Sequence, residues 1–98
     1  MSNVPSTVAA LRVVCHTPID ARHRHTGDCQ QLVAGQLMGP MSGLAICREK
    51  SEYAYYLFGC DNDWQAITDT WHESIDTAKQ QAEFEYEGVS KTWNESIQ

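Results

Sequence analysis

Between Cys15 and Cys29 the chain reads "CHTPIDARHRHTGDC", with two cysteines and three histidines in fifteen residues. Thiolate and imidazole present compact lone pairs to a borderline-soft ion, so zinc binding is the first chemistry to weigh. His23 and His25 would project to one side of a strand, with Cys29 close behind. Cys15 or His16 could return from the other limb of a loop closed around Pro18. The spacing is poor, because neither C-x2-C nor H-x3-H pairs occur. Arg22 and Arg24 also flank the histidines and raise the local positive potential, which opposes a dication. With Arg12, the same residues form the chain's one cationic concentration, and guanidinium forks suit phosphate or carboxylate. Three arginines make no groove, however, and a solvated loop is the plainer reading.

Other reactive residue types are no better arranged. A thiol nucleophile paired with His16 or His72 lacks any activating context. In "DTWHES", Asp69, His72 and Ser74 crowd together too closely to align as orienter, base and nucleophile. "DNDW" opens like a calcium loop, but Ala66 stands where glycine is needed and His72 where the bidentate glutamate belongs. No glycine-rich phosphate loop is present. Cys47 and Cys60 read as small buried hydrophobes.

The elements that must position these residues are clearest after Ser42. "GLAICREK", "YAYYLFGC" and "WQAITDTW" are rich in β-branched and aromatic residues and are separated by polar turns, which predicts an antiparallel meander. Pairing Lys50 with Tyr53 sets Ile46 against Leu57 and Cys47 against Tyr56. Pairing Cys60 with Trp64 sets Phe58 against Ala66, Leu57 against Ile67 and Tyr53 against Trp71. One face then carries Leu44, Ile46, Tyr53, Leu57, Ile67 and Trp71. The other carries Ala45, Cys47, Tyr56, Phe58, Cys60, Trp64 and Ala66. Both are apolar, so both need a cover.

Ser74 is placed as an N-cap, and Ile75, Ala78, Ala82 and Tyr86 recur at helical spacing, predicting a helix over 75–87. Gly88 suits a left-handed C-cap, and Trp93 should pack nearby. Residues 1–41 remain to cover the second face. "STVAALRVV" leans toward strand, and "CQQLVAGQLMG" reads as a turn or two of helix. A second copy or another protein would cover whatever stays open.

These readings give a single α+β domain over 1–98, with an N-terminal covering segment 1–41, a β-meander 42–72, a helix 74–88 and a tail 89–98. The meander has three strands, or four if the N-terminal segment joins. The apolar fraction of 42% is globular. No apolar run reaches the ~20 residues of a membrane span and no signal-peptide core follows Met1, so a cytoplasmic location with reduced thiols is expected. Residues 1–60 carry five cations against four anions, whereas 61–98 carry nine anions against Lys79 and Lys91. That acidic half disfavours nucleic acid and anionic membranes and permits a basic protein partner.

The span "YYLFGCDNDWQAITDTWHESIDTAKQQAEFEYEGVSKTW" resembles a group of small bacterial single-domain proteins of unknown function. They share the turn with Trp64, the "TDTWHES" junction and the "QAEFEY-G" helix. The resemblance implies an α+β domain of bacterial origin and no activity. The expected function is a non-enzymatic protein-interaction or regulatory module, in its specialised form an acidic inhibitor or immunity-like protein. Its candidate surfaces are the acidic helix (Asp76, Glu83, Glu85, Glu87) and any uncovered part of the Tyr56, Phe58, Trp64 face. No cofactor is expected; the alternative is a small zinc protein using His23, His25, Cys29 and Cys15.

Overall fold

A computed structural model describes residues 3–26, 32–33, 36–37, 40–49 and 53–95. In chain order the elements are β1 (Thr7–Val8), β2 (Leu11–Pro18), β3 (Arg24–His25), β4 (Leu32–Val33), β5 (Gln36–Leu37), β6 (Gly43–Arg48), β7 (Tyr55–Cys60), β8 (Ala66–His72), α1 (Ile75–Glu85), β9 (Tyr86–Glu87), a 3-10 turn (Val89–Lys91) and β10 (Asn94–Glu95). The architecture is α+β. A curled antiparallel sheet runs β1-β2-β6-β7-β8, and β10 pairs with β2. The expected three or four strands are therefore too few, because the N-terminal segment and the tail both add to the meander. No helix among the described residues is long and apolar enough to cross a membrane.

The β6–β7 register is the expected one, with Ile46 opposite Leu57 and Cys47 opposite Tyr56. The β7–β8 register is not. Cys60 faces Ala66, Phe58 faces Asp69 and Tyr56 faces Trp71, with a register shift between Gly59 and Cys60. The cause is Trp64, which lies in the connecting loop and adopts a left-handed backbone, φ 61°. Asp61 builds that loop: its Oδ1 accepts from the N–H groups of Asp63 and Gln65, each at 2.9 Å. An odd displacement exchanges the two faces of a strand. Trp71 thus leaves the helix side and stands 52% exposed on β8.

Alternation in β6 and β7 divides the interior into two cores. Leu44, Ile46 and Leu57 pack with Cys15 beneath Ala78 and Ala82 of α1, with Tyr86 and Val89 beside them, and Trp93 packs against this group as expected. Ala45, Cys47, Phe58, Cys60 and Trp64 form the second core with Val8 and Val13. A bulge between Val13 and Cys15 switches the alternation of β2, so Val13 serves one core and Cys15 the other. Val4, Val8 and Leu11 cover the second face.

Ser74 caps α1 by accepting from Thr77 N–H at 3.1 Å, while Thr77 Oγ1 accepts from Ser74 N–H at 3.2 Å. The helix ends at Glu85, two residues short of the expected limit, because Tyr86–Glu87 pairs with β3 instead. Gly88 is left-handed, φ 101°, but precedes the 3-10 turn and does not cap α1. The helix expected in "CQQLVAGQLMG" is replaced by a pairing of β4 with β5, Leu32 opposite Leu37. The other residues of that stretch lie outside the described residues.

The β1–β2 hairpin turns through Ala9 and Ala10, both left-handed at φ 51° and 65°. Two consecutive positive φ angles suit Asn-Gly, and alanine carries roughly 1–2 kcal/mol of strain at each position. Replacing the pair by Ala9→Asn with Ala10→Gly should stabilise the protein by about 1–2 kcal/mol in urea denaturation. An unchanged or lower midpoint would show that the turn is not under this strain.

Candidate functional site

Apart from His16, the described part of the histidine-rich stretch, residues 15–26, lies on the helix side, with Cys15 and Ile19 against the first core and His25 on Tyr86. Its centre is His23, whose side chain is fully enclosed. The Asp20 backbone N–H donates to His23 Nδ1 at 3.1 Å. An accepting Nδ1 leaves the ring proton on Nε2, which faces Thr92 Oγ1 at 2.9 Å. Thr92 Oγ1 in turn lies 2.7 Å from Thr17 Oγ1, and Thr17 Oγ1 donates to the Pro18 carbonyl at 3.0 Å. Thr92 Oγ1 also lies 3.3 Å from the Val89 carbonyl, so the ring and the two hydroxyls form a hydrogen-bonded chain that meets the backbone at Pro18 and Val89.

Asp20, His23 and Thr92 have the residue types of a hydrolytic triad. Asp20 Oδ1 is 3.6 Å from His23 Nδ1. The proton arrangement rules the role out, since a base must receive the hydroxyl proton on Nε2, and here Nε2 already holds one. The trio binds the tail to the loop. Gly88 completes the fit, because a Cβ there would lie 2.8 Å from the Arg22 carbonyl oxygen.

Two arginines of the anion-binding reading, Arg22 and Arg24, are committed internally. Arg22 forks onto Asp20 through Nε at 3.0 Å and Nη2 at 2.8 Å. Those bonds hold the Asp20 carboxyl down at about 2. Arg24 grips Glu87 with Nη2–Oε1 at 2.6 Å across the β3–β9 pair. His25 stacks on Tyr86, centroids 5.0 Å apart, and Tyr86 Oη accepts from Met41 N–H at 2.8 Å.

Of the four zinc candidates, Cys15 is a core residue beneath α1, His23 is held by Asp20 and Thr92, and His25 lies on Tyr86. Cys29 lies outside the described residues. Among the described residues no three His, Cys, Asp or Glu side chains converge to hold an ion. His16 follows Cys15 in the chain but points into the second core, edge-on to Trp64 at 5.6 Å. Its Nδ1 is buried without a partner among the described residues, and burial lowers its pKa.

The three described thiols are equally unsuited to catalysis. Cys15, Cys47 and Cys60 are free and buried, and burial pushes each up to about 12. A nucleophile needs the reverse. His72 accompanies none of this chemistry, its Nε2 lying 2.7 Å from Thr70 Oγ1 on β8.

The residues of the proposed interaction surface separate. Phe58 and Trp64 are 6% and 4% exposed and belong to the second core, while Tyr56 is half-buried and stacks on Phe58 at 5.8 Å. Glu83 takes up the turn after α1, its Oε2 accepting from Gly88 N–H at 2.9 Å and its Oε1 from Ser90 N–H at 3.1 Å. Partial desolvation raises its pKa, but those bonds outweigh it and the net shift is downward. Glu85 is buried and accepts from Gln81 Nε2 at 2.9 Å, and Glu87 is paired with Arg24. Asp76 alone of the four helix-region acids stands exposed in the first turn of α1.

What reaches solvent is a different set. From Tyr53 to Ala78 the chain carries Asp61, Asp63, Asp69, Glu73 and Asp76 and no lysine or arginine. Asp63, Asp69, Glu73 and Asp76 are exposed, beside Trp71. β8, which carries Asp69 and Trp71, pairs only with β7 among the described residues, so its other edge is unpaired there. Sequence reasoning misses this edge because the expected β7–β8 register puts Trp71 on the opposite face; the absence of cations from 53–78 is the available signal. No protein-family model, curated protein or solved structure matches the chain.

Three measurements follow from the buried groups. Thr92→Val removes the shared hydroxyl and should cost about 1–3 kcal/mol in urea denaturation, with Thr92→Ser losing clearly less. The His23 ring should show the Nε2–H tautomer in nitrogen NMR; an Nδ1–H ring would restore the triad reading. The thiols, raised in the folded state, contribute stability fully below the ordinary thiol pKa of about 8.5, and it is lost as pH climbs toward about 12. Stability above pH 9 should therefore fall less steeply in Cys60→Ala than in wild type, by up to about 1.4 kcal/mol per pH unit. Identical slopes would mean that the Cys60 thiol is not held neutral by burial.

Proposed function

We propose that this chain is a non-enzymatic protein-interaction module whose partner is basic. The observation that carries the reading is the exposed, cation-free run of carboxylates through the β7–β8 loop, β8 and the start of α1. No cation among the described residues forms an ion pair with Asp69, Glu73 or Asp76, whereas Asp20, Glu87 and Glu95 are paired with Arg22, Arg24 and Lys79. A concentration of unneutralised charge speeds encounter with an oppositely charged partner and repels acidic ones. An inhibitor that covers a basic site on its target is the specialised form of this function. The internal use of His23, Arg22, Arg24 and the three described thiols supports a binding role over catalysis.

Titration with an oligolysine of about eight residues, followed by amide NMR, tests the reading. Shifts should cluster over residues 61–76, and affinity should fall about tenfold or more between 50 and 250 mM salt as screening shortens to roughly 6 Å. Asp69→Lys with Glu73→Lys should abolish binding, while Glu95→Gln, on the far side of the sheet, should leave it intact. Shifts spread evenly over the surface, or binding indifferent to the double reversal, would overturn the reading.

A further inference from the structure

We infer that the basic partner docks as an extended segment added to the edge of β8 that is unpaired among the described residues, a mode that rests on the interaction reading above and specifies its geometry. An edge strand leaves alternate N–H and C=O groups unpaired, and these are the partner-binding groups of strand addition. β8 offers seven residues of such edge, Ala66–His72, a length comparable to that of an ordinary strand. Its solvent-facing side chains define what the added strand should carry. Asp69 and Trp71 lie two apart on one face, in register with Phe58 and Tyr56 of β7. Thr68, Thr70 and His72 alternate on the other.

A strand laid along this edge would set one residue beside Asp69 and another, two positions away on the same face, beside Trp71 and Tyr56. The fitting chemistry is a lysine or arginine separated by one residue from an apolar side chain. Small polar or β-branched residues would suit the intervening positions against Thr68 and Thr70. Charge complementarity also disfavours a second copy of this chain. Two-fold pairing over the full length of β8 sets Asp69 directly opposite Asp69, and like charges in that position are destabilising. Registers that avoid the clash surrender part of the strand.

Backbone methylation tests the mode, because it removes N–H donors and leaves charge and side chains unchanged. The probe is an eight-residue peptide alternating lysine and valine, compared with two isomers N-methylated at alternate residues on one edge or on the other. In an added strand only one edge faces β8. One isomer should lose affinity by at least about tenfold, since several hydrogen bonds vanish together, and the other should bind like the parent. Alternate β8 amides should also gain protection from hydrogen exchange when the parent peptide binds. Equal, salt-dependent binding by parent and both isomers would overturn strand addition while leaving the basic-partner reading intact. Absence of salt-dependent binding by the oligolysine and by all three peptides would overturn both.

Discussion

Gly43–Cys47, on β6, are buried without interruption, and this is the constraint from which the rest of the architecture follows. A strand that is apolar on alternate sides and also lies between two neighbours must be covered on both faces. α1 supplies one cover through Ala78 and Ala82, whose small side chains bring the helix close to Leu44, Ile46 and Leu57. The β1–β2 hairpin supplies the other by laying Val8 over Ala45, Cys47 and Phe58. The bulge of β2 is what lets a single strand serve both covers, with Val13 on one side and Cys15 on the other. The left-handed Ala9–Ala10 turn is a local cost of folding so short a chain back over the second face.

This constraint also explains which parts of the fold were legible. The β6–β7 register could be read because each strand alternates without a break and each side chain has a face to fill. β8 could not be read the same way. It borders solvent, its polar and apolar residues no longer report a face, and its start is hidden by a tryptophan that looks like a strand residue but sits in a loop. Carboxylate acceptance by Asp61 decides that loop, a three-dimensional bond invisible to period counting. The N-cap of α1 was legible because it is local; the helix terminus was not, because it is set by pairing of Tyr86–Glu87 with a distant strand.

The reactive-looking residues show the same division at the level of chemistry. Residue type points to metal, anion or thiol chemistry, whereas position commits Cys15, Arg22, His23, Arg24 and His25 to holding the chain together. Arg22 and Arg24 meet carboxylates from the same fold, and the enclosed His23 ties residues 17–23 to Thr92, which precedes Trp93 and β10. Thr17 and Thr92 carry no sequence signal of their own, being ordinary threonines seventy-five positions apart until the fold joins them. Buried polar chains of this kind are stabilising only when every member is satisfied. The accepting and donating sides of His23 meet that condition, while His16 Nδ1 does not among the described residues.

The charges left unpaired are those that the interior did not need, and their position at the sheet edge has a physical consequence. A strand edge unpaired among the described residues and bearing Trp71 invites association with any extended chain, including another copy. Asp69 beside it changes the preference: it repels an identical edge and costs nothing when the incoming residue is a cation. The bulge near Ile67 adds local twist and narrows the set of strands that can pair along the full edge. Aromatic contact area supplies attraction, the carboxylate selects the sign of the partner, and the backbone demands an extended conformation. Each condition alone is common on protein surfaces. Together on seven residues they describe a selective edge, and the selectivity resides as much in what Asp69 excludes as in what Trp71 attracts.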